Sequence, residues 1–204
     1  MSVQLLLRGF ILGLAIAAPV GPIGVLCIRR TLALGRLFGF VSGLGAATAD
    51  AIYGCIAAFG LTAISALLVR QQDLLRLLGG IFLCYLGVRT LLARPTDQSA
   101  AAEGQGLGGA YFSTLLLTLT NPITILSFVA VFAGLGVGGG KGYGAAAAIV
   151  LGVFLGSAAW WFLLSGGVSL VRDKFDAWAM LWVNRVAGVI ILGFGIAALA
   201  SLLR

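Results

Sequence analysis

The sequence predicts an all-α polytopic membrane protein: six transmembrane helices as two inverted three-helix repeats, with helices 1 and 4 broken at proline. Three observations predict it. Hydrophobic residues make up 61% of the 204, charged residues only 9%, and mean hydropathy is +1.13. A soluble domain carries about 25% charged residues, because a core needs a polar shell around it. Here lipid must supply the apolar solvent. Second, six apolar segments qualify, or nearly do, for the roughly 20 residues that cross a hydrocarbon core. Third, the two halves of the chain resemble each other.

The segments run Gly9–Ile28, Phe38–Leu68, Leu77–Leu92, Tyr111–Leu135, Tyr143–Leu170 and Val186–Leu203. Charged breaks separate them: Arg29-Arg30 with Arg36, Arg70 to Arg76, Arg89 to Glu103, Lys141, and Arg172 to Asp176. Arg8, the apolar run from Gly9 and Ala15-Ile16-Ala17 have signal-peptide character, but the run continues past proline to Ile28 and is read as a span. Residues 95–110 have linker character, with Pro95, Gly104 and Gly106, and divide a first repeat (1–94) from a second (111–204). Both belong to one membrane domain.

Gly21-Pro22-Ile23 corresponds to Asn121-Pro122-Ile123, each near the middle of its span. Gly45 lies on Gly156, and Arg76-Leu77-Leu78-Gly79 on Arg185-Val186-Ala187-Gly188. A duplicated unit of three spans enters and leaves on opposite sides, so the copies are inverted about an axis in the membrane plane. Eight basic residues (Arg29, Arg30, Arg36, Arg89, Arg94, Arg172, Lys174, Arg185) fall on one side and five on the other. That bias predicts the loops after helices one, three and five to be cytoplasmic and both termini outside.

A net charge of +7 in a soluble chain would suggest nucleic acid. Basic residues standing singly or in pairs between apolar runs instead suit anionic headgroups, and no nucleic-acid partner is expected. Cys27, Cys55 and Cys84 lie inside apolar segments without CxxC spacing, and the chain has no histidine. No metal site or cofactor is therefore expected. An intramembrane enzyme would need a Ser–His pair or two membrane aspartates, neither of which is present. Glycines at four-residue spacing (Gly9 and Gly13; Gly35, Gly39 and Gly43; Gly152 and Gly156) predict close helix packing or a homodimer.

Asp50 is the leading candidate for function. It stands 14 residues past Arg36 and 20 before Arg70, roughly 21 Å along a helix from the nearer charge. A carboxylate at that depth costs about 2.5–3.5 kcal/mol on insertion scales, so it is expected to face a polar cavity and to bind a substrate cation or a coupling proton. The bland alternative is a protonated Asp bonded to a neighbouring helix. Pro22 and Pro122 each interrupt a span and read as fresh helix starts, with Gly21 and Asn121 as their N-caps. Each start would point free N–H groups at the midplane, where a carboxylate could sit; the alternative is a packing kink. Two positive helix ends and one carboxylate together suit a zwitterionic amino acid. Thr48, Tyr53 and Trp161 are candidate pathway residues, with Thr118, Thr120, Thr124, Ser127, Ser157 and Trp160 ranked lower. Gly134, Gly136 and Gly139 spell GxGxxG with no strand before them and are read as a connector.

The Gly21–Gly24 GPIG element, the pair Arg29-Arg30, the ladder Gly35–Gly39–Gly43 leading to Ala49-Asp50, and Asn121-Pro122 resemble the LysE/RhtB family of amino-acid exporters. The similarity covers essentially the whole chain. It implies a secondary transporter of the bacterial inner membrane, exporting amino acids on a proton gradient or the membrane potential, with Asp50, Pro22 and Pro122 as the matching site positions. The expected partners are an amino-acid substrate, a coupling proton and the lipid bilayer. The competing expectations are a cation or heavy-metal transporter of the same superfamily and a membrane assembly subunit that transports nothing.

Overall fold

The computed structural model describes residues 2–19, 21–58, 71–93, 97–121, 124, 128 and 143–203, and over these the chain is helical. The helices are α1 (Ser2–Ala17), α2 (Pro22–Leu34), α3 (Arg36–Ala58), α4 (Gln72–Leu92), α5 (Asp97–Leu119), α6 (Tyr143–Ser169) and α7 (Ala177–Ala200). Short 3₁₀ turns at Arg172–Lys174 and Ser201–Leu203 follow α6 and α7.

By length and apolarity four of these can cross a membrane: Arg36–Ala57, Asp73–Leu92, Tyr143–Ser169 and Trp178–Ala200. The pair α1 and α2, bent by 82° at its break, makes five if counted as one span. The expected fourth span, Tyr111–Leu135, lies partly outside the described residues, as do the end of the second and Lys141. The side chains sort as lipid demands. Thr31, Ser42, Asp50, Thr114, Ser157 and Asn184 are buried, while Ile11, Leu78, Phe112, Leu163 and Val189 face outward.

Three boundaries differ from the sequence expectation. The first span was expected to end at Ile28 with Arg29 and Arg30 in a loop, but α2 runs on to Leu34. Ile23, Leu26, Cys27, Arg30 and Thr31 recur at three and four residues, and all five are buried on one helix face. The helix stops where Gly35 adopts φ 101°, a left-handed value that favours glycine. Arg172 closes that end, its Nε donating to the Leu32 carbonyl at 3.0 Å. The sixth span begins at Ala177, earlier than Val186, because Asp176 Oδ1 accepts from the Ala179 N–H at 2.7 Å and caps the helix. Arg185 is then held in the helix over the Trp182 ring, 5.5 Å from its centroid. Within 95–110, helix begins at Asp97 and is interrupted at Gly106 (φ 53°), from which the apolar part of α5 continues to Leu119.

The glycine ladders are filled from inside the chain. A Cβ on Gly9 or Gly13 would strike the backbone of Ile149 or Val153, and one on Gly152 or Gly156 the backbone of Leu6 or Phe10. α1 and α6 therefore interlock, running parallel. A Cβ on Gly39 would strike Thr31 of α2, and one on Gly43 would strike Trp161 of α6. These faces cannot also serve as the homodimer surface read from the same glycines, because the intrachain contact leaves them no free surface. α4 and α7 pack antiparallel, Gly80 against Gly195 and Leu199 and Gly188 against Leu91.

Candidate functional site

α3 is the element that brings a carboxylate into the bundle. Most residues from 42 to 50 of α3 are small, and Ser42, Ala46, Ala47 and Ala49 are buried, so α5 and α6 both approach it closely. Asp50 is 3% exposed and accepts a 2.7 Å hydrogen bond from Ser157 Oγ of α6. The Trp161 indole N–H donates in turn to Ser157 Oγ at 3.2 Å, one helical turn further along. The chain Trp161–Ser157–Asp50 fixes the carboxylate by neutral donors, and both donors come from a different helix.

Asp50 lines a cavity of about 250 Å³. The other walls include Ile16 and Ala17 at the end of α1, Gly21 to Gly24 at the start of α2, Thr118 and Asn121 at the end of α5, with Thr124, Trp161 and Phe194. Gly21 is the N-cap of α2, extended at φ −104°, with no side chain capping the helix and Pro22 at its first position. Its carbonyl accepts the first helical bond from Val25 N–H at 3.1 Å. The N–H groups of Ile23 and Gly24 precede any intrahelical acceptor, so the positive end of α2 opens on the cavity. The carbonyl ends of α1 and α5 reach the same space with the opposite polarity. The cavity thus holds both a negative group, Asp50, with the C-terminal turns of α1 and α5, and the positive start of α2.

Of the residues singled out from sequence, Asp50, Gly21, Pro22, Asn121 and Trp161 are brought together here. Pro122 lies outside the described residues. Thr48 and Tyr53 do not line this cavity. Both point at α5: the Tyr111 hydroxyl donates to Thr48 Oγ1 at 2.8 Å, and the Tyr53 hydroxyl donates to the Leu119 carbonyl where α5 ends. Both hydroxyl contacts tie α3 to α5.

Arg30 was read from the sequence as part of a charged break, not as an interior residue. It is 5% exposed, and its guanidinium donates to Ser42 Oγ of α3 and, on α5, to the Ala110 carbonyl, Thr114 Oγ1 and Ser113 Oγ, at 2.8–3.0 Å. The apolar periodicity from Ile23 to Thr31 carried the signal, had the arginine pair not been taken as the end of the span.

The chain matches the model of the LysE type translocator family over residues 14–202. It is 27% identical over 197 residues to YcgF of Bacillus subtilis (strain 168), provisionally named an amino acid efflux protein, covering 94% of this chain and 93% of that one. It is 28% identical over 165 residues to the threonine efflux protein of Salmonella typhi, covering 78% and 79%. To the leucine efflux protein of Salmonella choleraesuis (strain SC-B67) it is 29% identical over 114 residues, covering 55% and 54%. No solved structure matches it. With apolar helices that can cross a bilayer several times and a match over nearly its whole length, the chain is a multi-pass membrane protein of the LysE type translocator family.

Proposed function

We propose that this protein exports neutral amino acids from the cytoplasm, driven by a proton gradient or the membrane potential. The observation that carries the proposal is the pairing of Asp50 with the open start of α2 across one cavity. A zwitterion presents an ammonium group and a carboxylate a few bonds apart. Asp50 suits the first and the N–H groups of Ile23 and Gly24 the second. Asp50 is the one carboxylate among the described residues that line the cavity, and Ile16, Ile23, Trp161 and Phe194 make much of the rest of the wall apolar. A second ammonium, as on a basic amino acid, would find no second carboxylate there. A metal ion is served worse still, since one carboxylate in a chain without histidine gives too few ligands. The efflux names of the relatives agree with this reading.

The helices are proposed to be six spans in two inverted repeats. The pairing of glycines supports it. Gly45 packs on the backbone of α5 at Tyr111, and its repeat partner Gly156 packs on the backbone of α1 at Phe10. Exchanging the repeats turns one contact into the other. The register that lays Gly45 on Gly156 also lays Asp50 on Trp161 and Ala46 on Ser157. Three of these four line the cavity, and Ser157 donates to Asp50. The substrate site would then sit on the pseudo-two-fold axis, where transporters built from inverted repeats hold their cargo.

The deciding experiment is efflux of preloaded labelled leucine, threonine and lysine from cells carrying wild type or Asp50→Asn at matched membrane amounts. The expected outcome is export of leucine or threonine but not lysine, abolished by Asp50→Asn. Equal efflux by both proteins would end the role given to Asp50, and export of lysine alone would end the neutral-substrate assignment.

A further inference from the structure

α2 is tied at one end and open at the other. Its first turn lines the cavity with no side-chain cap. Its last two turns are strapped to the elements around them by arginines. Arg30 reaches Ser42 on α3 and Ala110, Ser113 and Thr114 on α5. Arg29 Nε donates to Asn184 Oδ1 on α7 at 2.9 Å, and Asn184 Nδ2 donates to the carbonyl of Ala93, just past α4. Arg172, after α6, takes the carbonyls of Leu32 and Ala33. α2 therefore stands between the cavity and the end of the bundle where these arginines gather.

The chemistry of the Arg30 strap favours reversibility. All four acceptors are neutral, whereas a permanent buried cation is usually matched by a carboxylate. The acceptors on α5 also keep partners without it: Ser113 Oγ and Thr114 Oγ1 each donate to the Ala110 carbonyl, at 3.2 and 3.0 Å. Withdrawing the guanidinium leaves the α5 side satisfied, and the arginine has only to move toward the aqueous end to be rehydrated.

We propose that α2 is the gate between the cavity and the arginine-rich end of the helices, and that Arg30 is the positioning residue that latches it shut. The gate rests on the efflux reading only in needing a passenger. Each cycle would release Arg30 from Ser42, Ser113, Thr114 and the Ala110 carbonyl, swing the first turn of α2 away from Asp50, and open the cavity to that side.

A native residue reports the opening. Cys27 lies one turn from Arg30 toward the cavity and is 2% exposed. Maleimide attacks only a hydrated thiolate, so its rate at Cys27 measures how often α2 lifts. Membranes are labelled with N-ethylmaleimide and each cysteine is read by mass spectrometry, with Cys55 and Cys84 as internal controls. Arg30→Met should raise labelling at Cys27 by roughly tenfold, as expected on losing a charge-assisted set of hydrogen bonds, with Cys55 and Cys84 unchanged. Arg30→Lys should give a smaller rise, because a point charge cannot reach a forked set of acceptors. Thr114→Val removes one acceptor without touching the cation and should also raise Cys27 labelling; it decides the matter if Arg30→Met does not accumulate. An unchanged rate at Cys27, or an equal rise at all three cysteines, overturns the latch. Selective Cys27 labelling in a protein that exports no amino acid would keep the gate and defeat the efflux reading.

Discussion

Asp50 and Ser157 act as a pair, and substitutions at the two should read differently. Asp50→Asn keeps the shape and still accepts from the Ser157 hydroxyl, so its loss of efflux would report the charge rather than the packing. Ser157→Ala keeps the charge and removes the donor, also leaving the Trp161 indole without its acceptor. Hydrogen bonds to charged groups are worth about 1.5–3 kcal/mol, so efflux by Ser157→Ala should fall by roughly tenfold or more while the protein still accumulates in membranes. A folded Ser157→Ala protein with wild-type efflux would show that Asp50 needs no fixed orientation. Asp50 was legible in the sequence because a charge alone in an apolar run contradicts its surroundings. Ser157 could not be singled out in the same way. A hydroxyl in a membrane helix usually bonds back to its own helix, as Thr31, Thr48 and Thr118 do here to the carbonyl four residues earlier. Only the approach of α6 to α3 distinguishes the serine that does not. Arg30 was hidden for a related reason: four oxygens from two distant segments make it an interior residue, and none is visible from its neighbours in the chain.

Between elements, the parallel contact of α1 with α6 is built from glycines that meet backbone, not side chains. Overpacking of a tight interface typically costs about 1–3 kcal/mol, and backbone cannot turn aside as a rotamer can. Gly156→Val is expected to lower the thermal midpoint in detergent by several degrees, whereas Gly193→Val, with nothing within 4 Å of the new Cβ, should leave it level. If both variants melt like wild type, the interlock does not hold the fold. The break between α1 and α2 calls for a different forecast. A lone proline kink would be repaired by alanine, but here the chain turns by 82°, and Ala18, Pro19 and Gly21 all lie outside helix. Pro22→Ala should leave the bend and the open N-terminus of α2 standing, with melting temperature and efflux per folded molecule both close to wild type. A sharp rise in stability with loss of efflux would instead mean that α1 and α2 had fused. The break itself was legible, because proline and glycine leave a mark in the sequence. Its angle depends on how α2 packs against α3, and local residues do not encode that.

For the whole molecule, the directions of the helices fix where its ends lie. α6 runs toward the arginine-rich end, since Arg172, just beyond it, bonds the last turn of α2. α1 is parallel to α6, so Ser2 starts at the opposite end. α7 begins at the arginine-rich end, where Asn184 meets Arg29 and Ala93, and runs back antiparallel to α4. Leu203 therefore finishes at the end where Ser2 starts. The basic residues counted from the sequence agree with this arrangement, though two of them act differently from the expectation. Arg29 and Arg30 are bonded within the bundle, while Arg36, Arg89, Arg172, Lys174 and Arg185 are exposed at that end, Arg172 also holding the last turn of α2. Five cations at one end still outweigh Arg8 and Arg76 among the described residues at the other, which favours the arginine-rich end as cytoplasmic. In a background lacking Cys27, Cys55 and Cys84, a membrane-impermeant thiol reagent added to intact cells should label Ser2→Cys and Leu203→Cys and spare Lys174→Cys. In inside-out vesicles the pattern should reverse. Labelling of all three from outside would remove the orientation, and labelling of Ser2→Cys and Leu203→Cys from opposite sides would require an odd number of crossings, which the paired directions of α1 with α6 and α4 with α7 do not allow.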